Sequence, residues 1–246
     1  MEDKNWKKDT IFNEPIDKIV DFTFDEKVAD VFEDMLRRSI PGYGTIISII
    51  GMLTKYHAKP NTNLYDLGSS LGAASLVMQK NVSVPGCKII AVDNSLPMIN
   101  RCREIIKNGN YPTPIELICA DIMDVQIQNA SMVVLNFTLQ FIPVELRSKL
   151  IEKIYNGLLP GGILILSEKI SFDDEDLNKR QIERYHNFKK FHGYSDLEIS
   201  AKREALENVL IPETLDTHFS RLYRARFNHV DLWYQLFNFA SIIATK

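Results

Sequence analysis

The sequence predicts an α/β fold: a mostly parallel sheet with helices on both faces, closed by an antiparallel hairpin. That expectation rests on three features. Short, continuously apolar runs alternate with helical segments between residues 63 and 167. The last two strand-like runs, His229–Leu236 and Asn238–Thr245, are joined so tightly that they must pair antiparallel. Finally, Leu64-Tyr65-Asp66-Leu67-Gly68-Ser69-Ser70-Leu71-Gly72 leads an apolar strand into a Gly/Ser turn and then a helix-forming segment. Such a turn admits close backbone approach and aims helix N–H groups at a ligand.

Residues 1–24 read as an irregular lead-in with Trp6 and Phe12 as anchors. The spacing of Val28, Val31, Phe32 and Met35 predicts a helix over 25–36. Ile40-Pro41-Gly42-Tyr43-Gly44 is a turn, and a second helix runs from Thr45 to about Tyr56. Together they form an N-terminal helical cap, about 25–58. Parallel strands follow at Asn63–Leu67, Lys88–Val92, Ile115–Cys119, Met132–Phe137 and Ile163–Ser167. Helices at Ala73–Lys80, Pro97–Lys107 and Pro143–Leu158 separate them, and Pro160-Gly161-Gly162 is a turn that starts the fifth strand. Residues 173–210 are charged and helical without a strand, which marks an insertion at about 170–210. A helix at Glu213–Ala225 leads into the closing hairpin. The sheet, seven-stranded, needs nearly the whole chain, so residues 1–246 read as one domain.

Composition narrows the function. Hydrophobic residues make up 45% of the 246, and the net charge is −3. Without a basic excess, direct nucleic-acid binding is disfavoured. The charged stretch from Met1 to Lys8 is no signal peptide, and no apolar run reaches the length of a membrane span. Cys87, Cys102 and Cys119 form no C-x-x-C pair and read as buried reduced thiols of a cytoplasmic protein; neither disulfides nor a metal is expected.

In open parallel sheets ligands bind outside the carboxyl ends of the strands. The first strand ends in Asp66 and Gly68-Ser69-Ser70, the second in Asp93-Asn94, the third in Asp121-Ile122, the fourth in Asn136. Each residue alone serves equally well as a turn former or helix cap, the role expected of Ser95. In register, they make a crevice. Asp93 suits ribose hydroxyls, Asp121 an adenine amino group, the Ile122 N–H a ring nitrogen, and Asn136 an α-amino or carboxylate group. The turn lacks G-x-G-x-x-G for a dinucleotide pyrophosphate and Gly-Lys-Ser/Thr for a nucleoside triphosphate. S-adenosylmethionine has no phosphates and tolerates a looser turn. Gly68-x-Ser70-x-Gly72 also matches the nucleophile elbow, with His218 and His229 downstream, but an elbow follows several strands and residues 1–62 read as helical.

Several blocks then carry a resemblance: Phe24-Asp25-Glu26-Lys27-Val28-Ala29, Arg38-Ser39-Ile40-Pro41-Gly42-Tyr43, Tyr65-Asp66-Leu67-Gly68, the stretch Ala130–Gln140 with Phe141, and Gly193-Tyr194-Ser195-Asp196-Leu197-Glu198-Ile199-Ser200. The chain resembles the carboxy-S-adenosylmethionine synthase family from about Phe12 to Ala244, departing at Ser69, where many members have Cys. The resemblance implies the class I methyltransferase (Rossmann-like) fold without methylation. The family carboxylates the methyl of S-adenosylmethionine with prephenate as donor, giving carboxy-S-adenosylmethionine, phenylpyruvate and water. A second enzyme, a tRNA carboxymethyltransferase, passes the carboxymethyl group to a wobble uridine. The resemblance implies a homodimer, and Tyr43, Gly68, Ser69, Ser70, Asp93, Asn94, Asp121, Ile122 and Asn136 as contacts to S-adenosylmethionine. It adds Arg203 as the catalytic clamp on the new carboxylate, in the chain's own site or a neighbour's. A guanidinium meets a carboxylate with two parallel bonds. Arg38, Arg203 and Tyr194 are candidates to hold prephenate, and no residue stands out as a general base. A true methyltransferase of a small molecule or RNA, and a silent cofactor-binding subunit, are the competing readings.

Overall fold

The computed structural model describes residues 7–14, 21–107, 109 and 112–246. Trp6 lies outside them; Phe12 is buried in the core of the cap. The strands are β1 (Asn63–Leu67), β2 (Lys88–Asp93), β3 (Ile115–Cys119), β4 (Ala130–Asn136), β5 (Leu158–Ser171), β6 (Glu213–Thr214), β7 (His229–Leu236) and β8 (Phe239–Thr245). The helices are α1 (Glu26–Ser39), α2 (Tyr43–His57), α3 (Ala73–Asn81), α4 (Leu96–Lys107), α5 (Val144–Gly157), α6 (Glu175–Phe191), α7 (Asp196–Leu206) and α8 (Leu215–Arg224).

The main sheet runs β3-β2-β1-β4-β5-β8-β7. Strands β1 to β5 pair parallel, whereas β8 pairs antiparallel with both β5 and β7. Because the chain steps outward from β1 through β2 to β3 and returns to β4 on the other side of β1, the strand order switches between β1 and β4. Ligands of open sheets bind at that crevice. Alternate residues feed opposite faces. Leu67, Val92, Leu135 and Leu164 meet α5 and α8 through Leu150, Ile154 and Leu222. Leu64, Ile89, Val134 and Ile163 meet α2 and α3 through Ile46, Ile50 and Met78. A third apolar cluster joins Val28, Phe32 and Met35 of α1 to Met98 of α4 and Ala201 and Ala205 of α7, so the cap and the insertion share one core.

Several expectations need correction. The fifth strand is longer than read, because its far half finds partners that β4 does not supply: Lys169 pairs with Phe239 and Ile170 with Glu213. Pro160-Gly161-Gly162 lies inside β5 as a local irregularity, with Gly161 at φ 69° and its N–H donating to the Lys246 carbonyl at 2.9 Å. The helix expected from Glu213 starts at Leu215; Glu213–Thr214 is a short strand, and Thr214 caps α8 by accepting from the Thr217 N–H. Cys87 and Cys102 are buried, but Cys119 is exposed at the end of the edge strand β3. Among the described residues no helix is long and apolar enough to cross a membrane.

Candidate functional site

A cavity of about 680 Å³ opens at the carboxyl ends of β1 to β5, beneath α1, α2 and α7. Tyr43 at the start of α2 lines it, as do Gly68, Ser69 and Ser70 after β1. Asp93 and Asn94 after β2, Asp121 and Ile122 after β3, and Asn136 at the end of β4 complete the set. All of the expected adenosyl contacts therefore face one space. Arg203 does not. It is exposed on the other side of α7, in a shallow recess with His186, Asp196 and Ser200.

The turn after β1 works differently from the sequence expectation. The Gly68 and Ser69 N–H groups both donate to the Val92 carbonyl, at 2.8 and 2.9 Å. The Ser70 N–H donates to Asp93 at 2.8 Å and the Gly72 N–H to the Ser69 carbonyl at 2.7 Å. These donors are taken within the chain, so the turn offers shape rather than N–H groups. That suits a ligand without a pyrophosphate. Gly68 itself is required: φ is 81°, and a Cβ would collide with the Thr138 side chain.

Asp93 is a buried carboxylate whose pKa is raised by burial, opposed by bonds from the Ser95 and Ser70 N–H groups. Each oxygen accepts one of those bonds, leaving one acceptor position apiece for a ribose. Ser95 caps α4 as expected, accepting from Met98 at 3.3 Å, and its hydroxyl donates to the Phe24 carbonyl. Asp121 is exposed and accepts from the Met123 N–H at 2.7 Å, which fixes its loop. Lys153, unremarked in the sequence, donates to the Ile122 and Met123 carbonyls at 2.9 and 2.8 Å and holds that loop against α5. Asp66 is buried and accepts from the Ser75 N–H and hydroxyl; burial raises its pKa to about 6. Burial likewise pushes the Tyr43 phenol well above its usual range.

Two buried polar atoms at the cavity, Ser69 Oγ and Asn136 Oδ1, have no partner among the described residues. Buried polar groups are rarely left so, and both residues line the cavity. With Asp93 and the self-contained turn they fit an adenosyl group joined to an amino acid. Among the described residues no cluster of His, Cys, Asp or Glu is arranged to hold a metal ion.

The opposite end of the cavity was not anticipated. Lys169 on β5, Tyr185 on α6, and Lys202 on α7 line it, beside Ser39 at the end of α1. The signal for Lys202 was present: buried positions 198, 201, 202 and 205 follow helical spacing on α7. Arg38 and Tyr194 stand behind this wall and do not line the cavity. Arg38 donates to the His192 and Asp9 carbonyls and stacks over Tyr194 at 3.9 Å. Gly193, at φ 85°, turns the chain into that position, and Ser195 and Glu198 close a capping box on α7.

Comparison with known proteins places this architecture. Residues 64–162 match the methyltransferase domain family. A carboxy-S-adenosyl-L-methionine synthase of Aliivibrio fischeri is 57% identical over 238 residues, covering 97% of this chain and 98% of its own. One from Yersinia enterocolitica is 53% identical over 240 residues, covering 98% and 90%. Among solved structures, a putative S-adenosyl-L-methionine-dependent methyltransferase from Methanococcus maripaludis superposes with a TM-score of 0.57 at 21% identity, over 92% of this chain and 94% of that one. A putative O-methyltransferase from Nostoc punctiforme gives 0.62 at 17% identity, over 90% and 60%. The fold is that of the class I methyltransferases.

Proposed function

The chain belongs to the carboxy-S-adenosyl-L-methionine synthase family, and from that membership we propose that it converts S-adenosyl-L-methionine and prephenate to carboxy-S-adenosyl-L-methionine, phenylpyruvate and water. It is a transferase, and S-adenosyl-L-methionine is its substrate. The observation that carries the reading is the 57% identity over 97% of the chain, far beyond what a shared fold requires. The whole chain is read as one adenosyl-binding unit.

The cavity supports a division of labour. Asp93 would accept from the ribose hydroxyls, Asp121 and the Ile122 N–H would meet the adenine edge, and Asn136, Ser69 and Tyr43 the amino-acid end. The sulfonium makes the adjacent methyl acidic. Loss of its proton leaves an ylide carbon that forms the new C–C bond to carbon dioxide. Prephenate supplies that carbon dioxide by losing it together with hydroxide as its ring becomes aromatic, and the hydroxide and the methyl proton leave as water. The protein's share is proximity and exclusion of bulk water, for which Phe24, Phe32, Phe141 and Leu206 line the cavity.

Arg203 stands outside its own chain's cavity. We place it as the clamp on the added carboxylate in the cavity of a second copy, in a homodimer. In the same reading the product goes to a tRNA carboxymethyltransferase in the cytoplasm for wobble-uridine modification, and the net charge of −3 suits a protein that never holds the RNA.

Incubating the protein with S-adenosyl-L-methionine and prephenate, followed by mass spectrometry of the cofactor, tests the function. A gain of one carboxyl mass with release of phenylpyruvate is expected. Methyl transfer to an added acceptor would instead establish a methyltransferase, and a bound, unaltered cofactor would establish a silent binding subunit.

A further inference from the structure

Lys169, Lys189 and Lys202 surround two tyrosine rings. Lys169 and Lys189 lie 5.3 and 5.1 Å from the Tyr185 ring; Lys189 and Lys202 lie 5.9 and 5.3 Å from the Tyr194 ring. Tyr185, Tyr194, Lys189 and Lys202 are buried. A compensating carboxylate, Asp9, is shared: it lies 3.4 Å from Lys202 Nζ and also accepts from the Tyr194 hydroxyl. A fourth cation, Arg38, pairs with Asp34 at 3.1 Å. Among the described residues, Asp9 and Asp34 are thus the paired carboxylates of the group Lys169, Lys189, Lys202 and Arg38.

Lys169 is the extreme case. Among the described residues no acceptor faces its ammonium, and burial lowers its pKa with no charged group opposing the shift. Lys169 is half-buried, and an unpaired ammonium held partly out of water is disfavoured, so an apolar side chain of similar size there is expected to be neutral or stabilising. Its retention on a cavity wall points to an anion delivered by a ligand.

The position is informative. Asn136 ends β4 in register with Ser167 on β5, and Lys169 lies two residues further along β5. Neighbouring strands are about 4.8 Å apart. An anion at Lys169 therefore lies one strand beyond the amino-acid end of the adenosyl ligand, on the side away from Asp93 and Asp121. Lys202 approaches the same space from α7.

We propose that Lys169 and Lys202, with Lys189 behind them, form the binding wall for a carboxylate of the acidic co-substrate, one strand away from the sulfonium. The site rests on the reading that a carboxylic acid is the second substrate; under that reading, the lysines hold prephenate. They bind and orient it rather than react with it. The positive field also favours the departure of a carboxylate-bearing molecule only after its second negative charge is lost, since prephenate arrives with two carboxylates and phenylpyruvate leaves with one.

The test uses the full chain loaded with S-adenosylhomocysteine, which cannot react, titrated calorimetrically with prephenate. Lys169→Met should weaken prephenate at least tenfold, change S-adenosylhomocysteine affinity less than twofold, and raise the melting temperature of the ligand-free protein. Lys169→Arg should restore much of the prephenate affinity. Equal prephenate affinity in wild type and Lys169→Met, or no binding to wild type, overturns the site. Parallel losses for both ligands overturn it too, by assigning Lys169 to the methionine carboxylate. A lower melting temperature in Lys169→Met makes it structural. Turnover is measured separately: absence of carboxylated product from the wild type refutes the proposed function, whereas the titrations judge the lysine wall without turnover.

Discussion

Replacing Asp93 with alanine tests the adenosyl end of the cavity most directly. Its two oxygens already accept from Ser70 at 2.8 Å and Ser95 at 2.9 Å, and each retains one acceptor position. The ribose brings two hydroxyls. A hydrogen bond to a charged group contributes about 1.5–3 kcal/mol, so losing two costs about 3 kcal/mol at the lower bound, or about 150-fold in affinity. The loss also leaves two turn N–H groups without acceptors, which loosens Ser70 and adds to the effect. Asp93→Asn should be nearly as damaging, because its amide places a donor opposite the N–H of Ser70 or Ser95. Calorimetry with S-adenosylhomocysteine and with carboxy-S-adenosylmethionine should show the same factor, since both carry the ribose. A loss under threefold, or a factor that differs between the two ligands, would refute the assignment. A single cooperative melting transition without ligand confirms that the fold is intact.

Gly68→Ala forces a Cβ onto a residue at φ 81° and into Thr138. The backbone cost alone is about 1–2 kcal/mol, read as a melting-temperature drop of about 4 °C with weaker adenosyl binding; an unchanged melt would sink the argument. Arg147 is fully buried, pairs with Glu213 at 2.6 Å and donates to three carbonyls, so Arg147→Met should cost about 3–5 kcal/mol and lower the melting temperature by about 10 °C in calorimetric scans. Burial lowers the pKa of Lys202 to about 8, against Asp9 and Asp34, which raise it, and with Arg38, which lowers it further; Lys189 is lowered to about 7 by burial, Lys202 and Lys169. kcat/KM for prephenate should therefore fall as pH rises through about 8, while the ligand-free protein gains stability from about pH 7 to pH 10, where the unfolded chain holds protons that the folded lysines have released. A flat profile in both would refute the charged wall. Arg203→Lys should weaken the carboxylated product more than S-adenosylmethionine in calorimetry, and mixing it with Asp93→Ala should restore part of the activity if the clamp crosses subunits; equal losses would remove Arg203 from the site.

The parallel core was legible because each strand is apolar and short, so β1 and β3 fall at the expected residues and the polar tips of β1 to β4 converge as read. The lysine end was not, for two local reasons. Ending the fifth strand at Ser167 hid Lys169; the strand persists because β8 and β6, remote in sequence, extend its ladder. Lys202 was overshadowed by Arg203. One residue turns a helix by 100°, so Lys202 falls on the buried stripe with Glu198 and Ala205 while Arg203 faces outward. The turn at Gly68 shows the opposite limit: its residues line the cavity, but which acceptors its N–H groups would find depends on the Val92 carbonyl and Asp93, a strand away.

The contact between Asp9 and Lys202 spans 193 residues, and Tyr194 reaches Asp9 across 185. A chain emerging from the ribosome in order completes β1 to β4, with every polar tip that would face the adenosyl ligand, while Tyr194 and Lys202, the distant partners of the Asp9 carboxylate, are still unmade. Pairings so distant in sequence carry the greatest closure entropy and form late. Biosynthesis therefore delivers the two halves of the cavity at different times, first the half that would hold the nucleoside and last the half that would receive the acid. Asp9 acts as the final fastening, so its replacement by alanine is expected to disturb the acid half first, leaving the nucleoside half in place.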